Sequence, residues 1–234
     1  ISADELQPLV DGLYANSAEL RKACLDSLAL LPLPSSGPVV GGLWLARHDP
    51  VAENAQAAGA LWTVAGYTAD AKMCTELLVP LCSPHEAIRT GAAGALGAAV
   101  TAAQCDVGPV VENIIDMHAK LMAPPAIEYD ALGNAVRSSR KDPWEARCGV
   151  CAGLAVLSPL MTQQALVRTA TYLVQTALHD TNATARDAAL TCGTALLDAQ
   201  GANHVDELVA IFEGYLGSHA TSSAAHDIVR QNVV

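Results

Sequence analysis

Two cysteines at the spacing Cys148-x-x-Cys151 could do chemistry, since paired thiols three residues apart hold zinc or cycle through a disulfide. A zinc site would need a second pair at finger spacing, and none follows. Both cysteines fall in a segment of helical periodicity, where residues i and i+3 are neighbours on one face. A buried thiol there acts as a small hydrophobe, so packing is the better reading and no metal is expected. His85-Glu86 begins like the zinc-protease motif but lacks the second His at the required offset. The other His are spread over separate turns and helix ends, as solvated or capping side chains would be. Gly91, Gly94 and Gly97 could suggest a phosphate loop, yet they sit in an Ala-rich helical pattern with no Lys-Ser or Lys-Thr behind them. Close approach of helices explains them better. No convergent set of titratable groups is readable. The chain is therefore expected to be no enzyme, with no catalytic residue, cofactor or small-molecule substrate.

Two sets of charged residues remain. Arg21, Arg89, Arg147, Arg186 and Arg230 recur at matched positions, with Asp49, Asp142, Asp180 and Asp227 close to helix starts. Such a column could line a binding ridge. The favoured alternative is structural: each guanidinium bonds Asp or carbonyl groups in a neighbouring turn and stitches the stack together. The second set is Arg137-Ser138-Ser139-Arg140-Lys141, the one basic cluster in an acidic chain. A solvated loop is the plainer reading. If the chain touches RNA or an acidic protein surface, Arg137, Arg140 and Lys141 are the best candidates.

The elements that must position these residues follow from an internal repeat. A polar residue, often followed by Pro, precedes an acidic residue, an Arg, and then small and apolar residues at helical spacing. Copies begin at Asn16, Asp49, Ser83, Asp142 and Asp180, and a sixth begins at Asp227 and stops at Val234. Asn16…Glu19, Ser83…Glu86 and Asp142…Glu145 read as capping boxes, each worth about 1 kcal/mol. Another amphipathic segment precedes each copy, at 3–15, 38–47, 71–82, 109–122, 162–179 and 205–216. The matched positions Arg21, Asn54, Arg89, Arg147, Arg186 and Arg230 are 33, 35, 58, 39 and 44 residues apart. HEAT units run at roughly 40 residues. The expected fold is all-α, an α-solenoid of about five and a half HEAT-type helical hairpins. One array would span 1–234, with an inserted loop at 123–141 accounting for the longest gap. No hairpin of this kind buries its apolar face alone, so neighbours must stack into one core.

Composition agrees. The chain is 51% hydrophobic but only 4% aromatic, which suits closely packed Ala- and Leu-rich helices over a sheet. No stretch reaches the ~20 apolar residues of a membrane span, and no signal peptide is readable at the start. Seven Cys, an odd number at scattered helix-interior positions, argue for reduced thiols in the cytosol or nucleus and against a disulfide framework. A net charge of −11 disfavours a long nucleic-acid groove, leaving the basic loop as the one place for direct RNA contact. Ile1 at the start and an apolar helical pattern at Val234 read as a section from within a longer protein.

From the insertion onward the residues carry a resemblance. Pro124-Pro125, Asp130-Ala131-Leu132-Gly133, Asp142-Pro143-Trp144-Glu145-Ala146-Arg147-Cys148-Gly149, Ala177-Leu178-His179-Asp180 and Asp227–Val234 closely resemble one region of the general-control translational activators (general control nonderepressible one). The resemblance is strong over roughly 121–234, while the first half shares the repeat pattern alone. It implies a very large HEAT-repeat scaffold on ribosomes, including stalled ones. It also implies cooperation with the stress kinase acting on the alpha subunit of initiation factor two during amino-acid starvation. The kinase-binding segment of that family lies further toward the C-terminus, so no kinase-binding residue is expected here. A cytoplasmic location follows from the same resemblance. A general HEAT adaptor, such as a transport receptor or phosphatase scaffold, would share the repeat but not the Asp142–Gly149 run.

Overall fold

The computed structural model describes residues 3–123, 128–129, 135–136 and 141–218. In chain order these form α1 (Ala3–Gly12), α2 (Ala18–Leu28), α3 (Pro38–Ala46), α4 (Ala52–Ala65), α5 (Ala71–Glu76), α6 (Leu78–Leu81), α7 (Glu86–Ala102) and α8 (Val107–Met122). A two-residue pair follows, β1 (Glu128–Tyr129) and β2 (Ala135–Val136), and then α9 (Trp144–Leu157), α10 (Gln163–Gln175), α11 (Ala183–Gln200) and α12 (Val205–Ser218). The architecture is an all-α solenoid. In the insertion, expected to be loop throughout, β1 and β2 pair antiparallel, with Glu128 opposite Val136 and Tyr129 opposite Ala135.

The helices stack in two rows. First helices meet first helices, α1 on α3 and then α8 on α10 on α12. Second helices do the same, α2 on α4 and then α7 on α9 on α11. The core runs between the rows: Leu25, Leu43, Leu81, Leu96, Ile114, Leu154 and Leu166 are buried along its length. Small residues let α7 sit close to its neighbours, and Ala92, Ala95 and Ala99 expose no surface. A Cβ at Gly91 would lie 3.0 Å from the His48 carbonyl oxygen, and one at Gly97 would lie 2.5 Å from Cγ1 of Val156. The glycines are thus where α7 meets the turn after α3 on one side and α9 on the other.

Helix starts differ from expectation in an instructive way. Ser17, not Asn16, caps α2, accepting from the Leu20 amide at 3.1 Å. The residues flanking α7 and α9 are His85 and Pro143, and neither makes a side-chain cap. None of the three capping boxes forms as expected, because each helix begins one or two residues later than the polar residue suggests. Where side-chain caps do occur they are Asp70, Asp106, Thr162 and Asn182 as well as Ser17. The segment 71–82 is broken at Leu77 into α5 and α6. Pro80 explains the break: it offers no amide to Glu76, four residues back, and its ring crowds that carbonyl.

Candidate functional site

The charged side chains of the repeat converge on the turns that precede the second helices. Arg21 leaves α2, and its guanidinium reaches Asp49 in the next turn, Nε to Oδ2 at 2.5 Å and Nη2 to Oδ1 at 2.9 Å. Its Nη1 donates to the Ala15 and Asn16 carbonyls, both at 2.9 Å. Asp49 also accepts from the Val51 amide at 2.8 Å. One carboxylate therefore shapes its own turn and anchors the hairpin before it. Burial acts to raise the Asp49 pKa, but Arg21, the Val51 amide and Asn54 outweigh it and the net shift is downward.

The same arrangement recurs at α9. Arg147 donates to Asp180 from Nε at 2.5 Å and Nη2 at 2.9 Å, and Asp180 accepts from the Asn182 amide at 2.8 Å. Arg147 also meets Asp142 in its own turn, Nη1 to Oδ1 at 2.5 Å. Burial opposes the charge on Arg147, yet Asp142 and Asp180 more than offset it and push the pKa above the ordinary guanidinium range. Bidentate, charge-assisted geometry of this kind is the strong form of a hydrogen bond. Arg89 and Arg186 use their Nη1 on carbonyls of their own turns, Ser83 and Pro84 for one and Asp180 and Thr181 for the other. Asp180 thus serves two arginines, by side chain to Arg147 and by backbone to Arg186. Arg230 and Asp227 lie outside the described residues.

Asn54 occupies the arginine position of the second hairpin and is buried. Its Nδ2 donates to the Ala18 carbonyl at 3.1 Å and to Asp49 Oδ2 at 3.3 Å. The repeat alignment contains the signal for this role, since Asn54 falls in register with the arginines.

A cleft of about 240 Å³ opens beside the second of these clusters, lined by Leu121, Ala123, Lys141, Asp142, Arg147 and Asp180 among others. Ala123 and Lys141, the two ends of the insertion in sequence, both line this cleft. Lys141 is exposed, with its ammonium 3.1 Å from Glu145. An exposed pair of this sort contributes little and leaves the lysine available to solvent and partners. Arg137 and Arg140 lie outside the described residues.

A second polar group is buried between α8, α9 and α10, and no sequence pattern points to it. His118 Nδ1 lies 2.9 Å from the Tyr172 hydroxyl, and its Nε2 lies 3.6 Å from Cys151 Sγ. Burial depresses the His118 pKa to about 4, with Asp180 opposing and Arg147 assisting. Burial also pushes the Cys148 and Cys151 thiols up, which makes them poor nucleophiles. Among the described residues no three His, Cys, Asp or Glu side chains converge as metal ligands. No helix among them is long and apolar enough to cross a membrane.

The profile of the family described as "Stalled ribosome sensor GCN1, HEAT repeats" matches residues 35–234. The match thus reaches well into the half where the residues themselves display only the repeat. The chain is 30% identical to the human protein named "Stalled ribosome sensor GCN1" over 99% of its own length and 9% of the human protein's. The mouse protein of that name matches at the same 30%, and Arabidopsis thaliana "Protein ILITYHIA" at 25% over 100% of this chain and 8% of its own length. The chain therefore spans less than a tenth of the curated relatives it matches. No solved structure matches it. A stack of HEAT hairpins with this span of similarity belongs to the GCN1 stalled-ribosome-sensor HEAT-repeat family.

Proposed function

We propose that this chain is a non-catalytic section of a cytoplasmic, ribosome-associated scaffold that senses stalled ribosomes and promotes activation of the initiation-factor-two-alpha kinase. The family match across residues 35–234 carries the reading. The geometry supports a mechanical role: the buried arginines and aspartates are engaged with one another and with backbone, as struts are. In this reading residues 1–234 act as one continuous array that spaces and presents docking surfaces, raising the effective concentration of its partners. Arg137, Arg140 and Lys141, in the insertion at 123–141, meet ribosomal RNA or an acidic protein surface in the same reading. Kinase and associated factors would be engaged elsewhere in the full-length parent.

Sedimentation tests this. The full-length parent should travel with polysomes and stalled ribosomes on sucrose gradients. A parent confined to ribosome-free fractions, recovered with transport cargo or a phosphatase subunit, would overturn the proposal.

A further inference from the structure

Cys74 in α5 and Cys105 in the turn between α7 and α8 bring their sulfurs to 3.7 Å, with the Cys74 thiol donating to Cys105. The two differ in access: Cys74 is buried and Cys105 only half-buried. Cys105 is held in place by its backbone. Gln104 before it adopts φ +51°, and the Cys105 amide donates to the Val100 carbonyl at 3.0 Å, closing the end of α7. Asp106 after it caps α8. Neither neighbour leaves Cys105 much freedom to turn away. At the other end of the same seam, the Cys82 thiol donates to Met117 Sδ at 3.2 Å. Sulfur contacts thus bracket the seam where the third hairpin meets α8.

We propose that Cys74 and Cys105 form a redox-modification site, closing to an intramolecular disulfide when Cys105 meets a hydroperoxide. In the first step the Cys105 sulfur attacks the distal peroxide oxygen. The O–O bond breaks, an S–OH bond forms, and the alcohol (water, for hydrogen peroxide) leaves with the thiol proton. In the second step the Cys74 sulfur attacks the sulfenic sulfur. The S–S bond forms, the S–OH bond breaks, and hydroxide departs as water with the Cys74 proton. Two electrons leave the thiols and two enter the peroxide. Closure needs the sulfurs to approach from 3.7 Å to about 2 Å. Burial, and the contact with Cys105, push the Cys74 thiol up to about 12. Burial and a raised pKa both disfavour direct attack by Cys74, which leaves the half-buried Cys105 to meet the peroxide first. The bond would fix α5 to the α7–α8 connection and lock one seam of the array, leaving the others free.

Treating the full chain with hydrogen peroxide, alkylating in guanidinium and digesting without reductant tests the proposal. The expected product is a linked peptide pair containing Cys74 and Cys105, with five of the seven cysteines alkylated. Dithiothreitol should restore all seven. Oxidation should raise the unfolding temperature reversibly. In Cys74→Ser, dimedone should trap a sulfenic acid at Cys105. In Cys105→Ser, Cys74 should remain alkylatable after peroxide. The wild-type peptide map stands without either variant. A Cys148–Cys151 or intermolecular disulfide in place of this pair overturns the proposal, as does Cys105 sulfinic acid with Cys74 still alkylatable.

Discussion

Arg147 grips Asp180 with two parallel hydrogen bonds across the seam between consecutive hairpins, at 2.5 and 2.9 Å, and both side chains are buried. The same two atoms of Arg21 hold Asp49 in the same way, 28 residues away in sequence. A pair of this kind is sensitive to loss of one member. Asp180→Ala leaves a buried guanidinium half-served and should destabilise the chain by about 3–5 kcal/mol. Replacing both partners, Arg147→Met with Asp180→Leu, should cost much less than either single change. Urea unfolding of the singles and the double checks this, and equal losses in all three would contradict it.

Acid should weaken the fold through His118. Its folded pKa, about 4, lies below the roughly 6.5 of an exposed imidazole. The unfolded chain therefore binds a proton that the folded chain does not. Stability falls as pH drops from about 6.5 toward about 4, by ~3 kcal/mol in all. Asp49 adds to the loss at lower pH: its carboxyl is depressed, so its contribution is present above the unfolded value and disappears as pH falls through the folded one. Unfolding midpoints between pH 7 and 4 should show the slope, and His118→Gln should flatten its upper part.

Gly149 has no room for a side chain. A Cβ there would overlap the Leu81 carbonyl oxygen and lie 2.7 Å from Arg89 Cδ, where α9 rests on the end of α6. Gly149→Ala should cost about 1–3 kcal/mol by forcing backbone to move. Gly214 in α12 meets nothing within 4 Å, so Gly214→Ala should stabilise by about 0.5–1 kcal/mol through helix propensity alone. Thermal unfolding of the two variants should shift in opposite directions.

The insertion can be tested separately from the fold. Changing Arg137, Arg140 and Lys141 together to Ala should leave the urea midpoint almost unchanged, since the Lys141–Glu145 pair is exposed. If these residues meet RNA, the dependence of binding on log salt should lose about 2 in slope, as three phosphate contacts on single-stranded RNA require. Ribosome binding with an unchanged salt slope would remove the cluster from the interface.

How much of this could be read from the residues divides by distance along the chain. The helices are legible because apolar spacing is local, although 71–82 reads as one segment where the structure has α5 and α6. Pro80 is the residue that signals the break at Leu77. For Asp49 and Asp142 the kind of bond is legible, since a matched column of arginines points to guanidinium groups bonding Asp in neighbouring turns. Which arginine takes which carboxylate is not, because both aspartates also read as caps. For Asp49 that arginine is Arg21, which belongs to the preceding hairpin. The His118–Tyr172 contact spans 54 residues and leaves no periodic trace at all.

Asn54 changes how the array should respond to force. Among the described residues, buried carboxylate–guanidinium pairs cross the seams at Asp49 and at Asp180, while Asn54, in the arginine position of the second hairpin, bonds back to Ala18 and Asp49 in the first seam and not forward to the third hairpin. Elastic stiffness along the array is then uneven. A load applied along its length would concentrate strain in the stretch between those two pairs. Bending would be taken up around α5–α8, where neither clamp resists it.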